Sequence, residues 1–212
     1  MKTYVYVDGF NLYYGCLKGT LYRWLDLEAF CRMLVPSHSV ERIKYFTAQV
    51  KTPPGFDGGS AVRQGVYLRA VAQMNSVETH LGHYQSHPVM APLVPKPASG
   101  SPLVRVLKTE EKGSDVNLAA HLLLDAFRNT FEQAIVVSND ADLATPIRMV
   151  KEDIRKPIGV VYPCTNVGRT KSVRLKEVAT FVREVRVNAL AQCQLPNKLT
   201  DAKGDFSKPK SW

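Results

Sequence analysis

Four aspartates carry the chemistry that this sequence can support: Asp8, Asp115, Asp140 and Asp142. Asp8 follows a short β-rich run that ends at Val7. Asp140 follows a continuous apolar run that ends near Val137, and Asp142 stands two residues further on. Asp115 opens a long apolar helical pattern after the run Leu103 to Lys108. In open α/β sheets the functional crevice lies beyond the carboxyl ends of the strands, so these side chains are expected to meet there. Carboxylates crowded into one crevice repel one another and are costly to keep ionised. A hard cation resolves the conflict, because Mg2+ or Mn2+ takes carboxylate oxygens together with waters that a phosphate can displace. Such an ion activates water, neutralises a phosphate and supports a leaving oxygen. The chemistry indicated is phosphodiester hydrolysis.

Each aspartate also has a purely structural role open to it. Asp115 can favour the dipole in the first turn of its helix, and Asp140 can cap the helix that follows it. Asp8, before Gly9, has no helix start that obviously needs it. Ser138 is expected to shape the aspartate turn by bonding backbone. Lys112 can contact a phosphate or remain a solvated loop lysine. The run "GRTKSVRLKEV" offers Arg169, Lys171, Arg174 and Lys176 as a phosphate track or as a solvated charged face. Tyr13, Tyr14 and Trp24 can stack unpaired bases or pack the core. His80, His83 and His87 invite a zinc site, yet positions 80 and 83 face opposite sides of a strand.

Strands and helices must alternate to place these groups. Thr3 to Val7, Glu41 to Val50, Val77 to Tyr84, Leu103 to Lys108, Ala134 to Val137 and Pro157 to Tyr162 read as strands, the last of them closing the pattern. Helical spacing covers Asp26 to Val35, with Leu27, Phe30, Cys31 and Leu34 on one face before Pro36. Further helices are expected over Ser60 to Asn75 (apolar positions Val62, Val66, Ala70 and Met74), Ser114 to Asn129 with Ser114 as its cap, and about Asp142 to Glu152. Such alternation predicts βαβ units and a mostly parallel sheet covered on both faces. Ser86 to Pro102 holds five prolines and is expected to be an exposed loop. Residues 1–187 read as one domain and 188–212 as a basic tail, with Leu195 to Trp212 expected to be mobile.

Composition sets the outer bounds. The 212 residues are 45% hydrophobic and 22% charged, the balance of an ordinary globular protein. No stretch approaches ~20 consecutive apolar residues, so no membrane span is expected. Cys16, Cys31, Cys164 and Cys193 form no CxxC pair, which predicts free thiols and a cytoplasmic protein. The net charge of +9 is unevenly spread: residues 1–147 hold 14 Lys/Arg against 13 Asp/Glu, and residues 148–212 hold 14 against 6. A basic C-terminal third is the electrostatic footprint of a polyanion partner.

Three segments in order, "YVYVDGFNLYYG", "EKGSDVNLAAHLLLDAF" and "AIVVSNDADLATPIRMV", resemble the NYN domain, a branch of the PIN-like nucleases, and in particular its LabA-like bacterial group. The resemblance spans roughly Lys2 to Val185. It implies a three-layer α/β/α, Rossmann-like fold, an acidic centre binding Mg2+ or Mn2+, and endonucleolytic cutting of single-stranded or structured RNA. By matching positions it implies Asp8, Asp115 and Asp140 as metal-binding carboxylates and Asp142 as a supporting fourth. Asn11 is implied to orient a metal-bound water or a phosphate oxygen. Asn139 departs from the pattern, standing where many relatives have glycine, and asparagine tolerates left-handed backbone. Relatives of this kind include proteins that only bind, so a non-catalytic RNA-binding or adaptor role is the alternative. Oligomeric state is left open, a homodimer included. A HAD-like phosphatase would want a second aspartate where Phe10 stands, and no G-x-G-x-x-G or P-loop string is present.

Overall fold

A computed structural model describes residues 1–50, 58–163 and 170–212. The chain runs β1 (Lys2–Asp8), α1 (Gly9–Leu12, continued by a π-helical turn Tyr13–Leu17), α2 (Leu27–Leu34), β2 (Ser39–Ala48), α3 (Gly59–Val71), β3 (Val77–Pro92) and β4 (Leu103–Lys112). It continues through α4 (Ser114–Phe127), β5 (Gln133–Val137), a 3-10 turn (Ala141–Leu143) leading into α5 (Ala144–Arg148), and β6 (Ile158–Tyr162). Last come α6 (Val173–Val178), β7 (Phe181–Glu184), α7 (Val187–Gln192) and a hairpin of β8 (Lys198–Asp201) and β9 (Gly204–Ser207). Among the described residues one seven-stranded sheet has the order β4-β3-β2-β1-β5-β6-β7, parallel except where β4 pairs antiparallel with β3. Two apolar cores cover its faces. One joins Val5, Val7, Ile135 and Val137 to Trp24, Leu27, Phe30 and Tyr67, and the other joins Tyr6, Phe46 and Val136 to Leu118, Leu122 and Ile147. This is the expected three-layer α/β/α architecture.

Strand order reverses between β1 and β5. The chain steps outward one way through β2 and β3, and the other way through β6 and β7. Ligand crevices open at such a switch point, and here Val7 lies in register with Val137. The next residues, Asp8 and Ser138, therefore emerge side by side.

The proline-rich segment departs from the expected loop. β3 runs on through Pro88 to Pro92 and pairs with β4 over ten residue pairs, from His83–Lys112 to Pro92–Leu103. Beyond Gly82, which pairs with Ala48 at the end of β2, that edge of β3 has no strand partner among the described residues. The Leu93 N–H donates to the Pro102 carbonyl, so backbone nitrogens at even positions such as 88 and 92 face the other edge by the period of two. There a proline forfeits no ladder bond. The sheet also gains β7 beyond the expected last strand. On α3 the apolar face is rotated from the expected one: Val62 is exposed, and Tyr67, Ala70 and Val71 are buried.

The lysine-rich tail is folded onto the domain instead of hanging free. Leu195 N–H donates to the Trp24 carbonyl at 2.9 Å, and the Trp24 indole donates to the Pro196 carbonyl at 2.8 Å. Arg69 grips Asp201 through two bonds of 2.7 and 2.6 Å and lies over the Phe206 ring. Trp212 packs against Trp24 and Tyr67. Composition hides these anchors, since a few rings and one bidentate pair suffice to order a polar segment. Among the described residues no helix is long and apolar enough to cross a membrane. Cys16, Cys31 and Cys193 are buried, and Cys164 lies outside the described residues.

Candidate metal centre at the switch point

Asp8 is the buried root of the site. Its side chain is 2% exposed as part of the residue's total, and every oxygen has a donor. Oδ1 accepts from the Asn11 backbone N–H at 2.9 Å, and Oδ2 accepts from Asn11 Nδ2 at 2.6 Å and from the Ser138 hydroxyl at 2.8 Å. The Asn11 N–H bond makes Asp8 the N-cap of α1, so the helix start that the sequence did not reveal is present. Burial pushes the Asp8 carboxyl up against the pull of these donors, and Asp140 adds to the rise. Asn11 therefore holds Asp8 in place, which is a nearer role than the water or phosphate contact expected of it.

Ser138 links the two strand ends. Its hydroxyl donates to Asp8 and accepts from the Asp140 N–H at 3.0 Å. Asp140 in turn caps the 3-10 turn by accepting from the Asp142 N–H at 3.0 Å. The turn forms without left-handed backbone at Asn139: among the described residues the positive-φ residues other than glycine are Asn129 and Arg155. Its amide instead donates to the Thr170 carbonyl and accepts from the Ser172 N–H, which ties the aspartate turn to the start of α6.

Asp115 reaches the same edge by a different route from the expected one. β3 overshoots the sheet and β4 returns antiparallel, which sets Lys112 opposite His83 and delivers α4 to the carboxyl ends of the parallel strands. Gly113, at φ +99, takes the N-cap position expected of Ser114. Ser114 is held by Glu111, whose carboxylate accepts from the Ser114 N–H and hydroxyl at 3.0 and 2.8 Å. The Asp115 carboxyl is pushed up to about 6, by partial desolvation and then by Asp8, Asp140, Glu111 and Asp142. Asp115 itself is exposed at the rim of the crevice. Glu111 is a fifth acidic member that strand-end reasoning missed; its place just before the Gly113–Ser114 turn was the available signal.

These side chains feel one another without forming a closed set. Among the described residues no three of His, Cys, Asp or Glu are grouped tightly enough to be a ready metal cage. The donor chemistry nevertheless fits a hard cation: all members are oxygen ligands, and a divalent ion would relieve the repulsion among them.

The basic residues are less concentrated. Arg174 shares an open depression with Asp142, Thr145, Arg148 and Glu177. Lys176 is exposed on the same helix, and Lys171 is paired with Glu184. Lys112 borders the α4 start and bonds Glu110 at 3.3 Å. Arg169 lies outside the described residues. Trp24 is core, fully buried, whereas Tyr14 is exposed. His80 stacks on Phe46 and lies tilted against His121 of α4, with the two imidazole centroids 4.0 Å apart.

A family model of the NYN domain matches residues 2–183. The chain is 33% identical, over its whole length and 75% of the relative's, to a 6-hydroxy-3-succinoylpyridine 3-monooxygenase of Pseudomonas putida. The crystal structure of a protein of unknown function from Vibrio parahaemolyticus superposes with a TM-score of 0.54 at 19% identity, over 87% of this chain and 93% of that one. The last likeness speaks to the fold alone.

Proposed function

The chain belongs to the NYN domain family, and on that premise we propose that its acidic edge is a metal-dependent centre that hydrolyses RNA phosphodiester bonds endonucleolytically. The observation that carries this reading is the switch-point geometry, where Asp8 and Ser138 leave neighbouring strands side by side and Ser138 bonds both the Asp8 carboxylate and the Asp140 N–H. The Asp115 carboxyl, raised by desolvation and by Asp8, Asp140, Glu111 and Asp142, agrees with it. Asp8, Asp115 and Asp140 would hold Mg2+ or Mn2+, and Asp142 supports them from the turn. When bound, the ion supplies charge neutralisation and an acidified water. The chain's own contribution is positional. Asn11 and Ser138 fix the Asp8 oxygens, and Asn139 fixes the segment that carries Lys171 and Arg174. Lys112, Arg169, Lys171, Arg174 and Lys176 are proposed to follow the RNA backbone.

The test is cleavage of labelled single-stranded and hairpin RNA with Mn2+ or Mg2+, an EDTA control, and an Asp8→Asn/Asp140→Asn double variant. Metal-dependent cutting that the variant lacks supports the centre. Equal RNA binding without cutting by either protein replaces it with a binding module. The monooxygenase relative, which the chain matches throughout, favours a second reading in which a hydroxylated pyridine is oxygenated. A chain that consumes 6-hydroxy-3-succinoylpyridine with dioxygen and a two-electron donor, and leaves RNA intact, takes that reading.

A further inference from the structure

Beside the acidic edge the surface turns aromatic. A cavity of about 280 Å3 lies between the turn that follows β1 and helix α3, walled by Phe10, Tyr13, Tyr14, Tyr45, Tyr84 and Trp212. Its wall begins two residues from Asp8. Gly9 permits this closeness: a Cβ there would lie 2.7 Å from the Phe46 carbonyl oxygen and 2.8 Å from the Tyr45 ring. Tyr84 on β3 pairs in register with Glu111 on β4. Cavity and acidic edge are thus neighbours.

The rings are arranged to accept more than they give one another. Phe10 and Tyr84 meet edge to face, with centroids 6.2 Å apart at 86°, and Tyr13 and Tyr14 do so at 5.2 Å and 79°. In each such pair the ring that offers its edge keeps its faces unstacked within the pair. Tyr14 is 54% exposed whereas Tyr45 is buried, so the wall runs from the core out to solvent. The volume falls just below the range of about 300–1,000 Å3 that encloses drug-sized ligands, which suits one flat ring system. Arg23 and Arg63 line the same space and give it the positive charge that an attached phosphate wants.

We propose that this cavity receives one unpaired nucleobase of the RNA, stacked on the aromatic wall while a neighbouring phosphate lies on the acidic edge. The proposal rests on the nuclease reading above. It makes the substrate single-stranded at that position, because a paired base is not free to leave its stack, and it sets the cut at a constant step from the captured base.

The experiment walks a single abasic position along a short labelled RNA and measures affinity and Mn2+-dependent cutting for each substrate. The wild type should lose roughly 5- to 150-fold in affinity at one position, the loss expected for one base–aromatic stack, at a fixed step from the cut. Tyr84→Phe should keep that profile, and Tyr84→Ala should flatten it. Ser60→Trp, which fills the cavity from an exposed lining position on α3, should flatten it without removing a wall residue. A flat profile in a wild type that still cuts overturns the base pocket and leaves the nuclease reading standing. So does a position-specific loss that Ser60→Trp and Tyr84→Ala both retain. A sharp profile sensitive to these variants, with no cutting under any metal, upholds base capture and sinks the nuclease reading.

Discussion

Two clusters of ionisable side chains lie on this sheet, and they are built on opposite rules. On the α4 face, Lys44 meets Asp125 at 2.6 Å, with both side chains about nine-tenths buried. The Tyr6 hydroxyl donates to the same carboxylate at 2.7 Å, and His121 stands 3.2 Å from the Lys44 ammonium. Burial and the Asp125 carboxylate push the Tyr6 phenol far up, which keeps it a donor. That cluster is charge-balanced. At the switch point, Asp8, Asp115, Asp140, Asp142 and Glu111 act on one another with the same sign. A compensated buried network belongs to structure, whereas uncompensated like charge in a cleft points to a ligand that completes it.

The largest expected effect breaks the balanced side. Asp125→Ala leaves the Lys44 ammonium buried and unpaired, so urea unfolding should show a loss of about 3–5 kcal/mol. A loss below ~1 kcal/mol would mean that Lys44 reaches water and the two clusters are less distinct than they look. Asp115→Asn tests the other side. In metal-free buffer at pH 7 its melting temperature should equal or exceed the wild type's, because one repelling charge is gone. A marked fall would show that Asp115 is structural.

The pH dependence sharpens the contrast. A carboxyl raised from its usual value to about 6 in the fold keeps a proton that the unfolded chain has already lost. Its stabilising share is therefore full at low pH and is lost as pH rises through about 6. The rise in melting temperature on adding Mn2+ should accordingly be larger at pH 7.5 than at pH 5, and an equal rise at both would place the ion elsewhere. The smallest effect is expected from Arg174→Ala, which should weaken RNA binding evenly across sequences and lower the salt slope by roughly one. An unchanged slope would remove Arg174 from the phosphate track.

Local periodicity was legible wherever one face is buried. Leu27, Phe30, Cys31 and Leu34 fall on the inner side of α2 as their spacing required, and Asp26 caps the helix. The strand-end aspartates were legible for the same reason, because parallel strands leave continuous apolar runs that stop at the functional edge. What failed depended on partners distant in sequence. Pro88 and Pro92 fit a strand because, among the described residues, that edge of β3 has no strand partner, and nothing local states that. β7, with the half-polar sequence FVRE, takes its identity from β6. Phe206 and Trp212 are isolated rings in a polar stretch until Arg69, Trp24 and Tyr67 are folded beneath them. The role of Asp8 as a cap likewise became visible only with α1 in place, and the bond it accepts from Ser138 spans 130 positions.

The central claim is that the switch-point carboxylates are completed by a divalent cation, and calorimetric titration of Mn2+ into the protein at pH 7.5 tests it most directly. The account predicts saturable binding by the wild type, lost in the Asp8→Asn/Asp140→Asn double variant and kept in a Lys44→Met/Asp125→Leu control that removes the balanced pair. Binding of equal strength by wild type and double variant would contradict it.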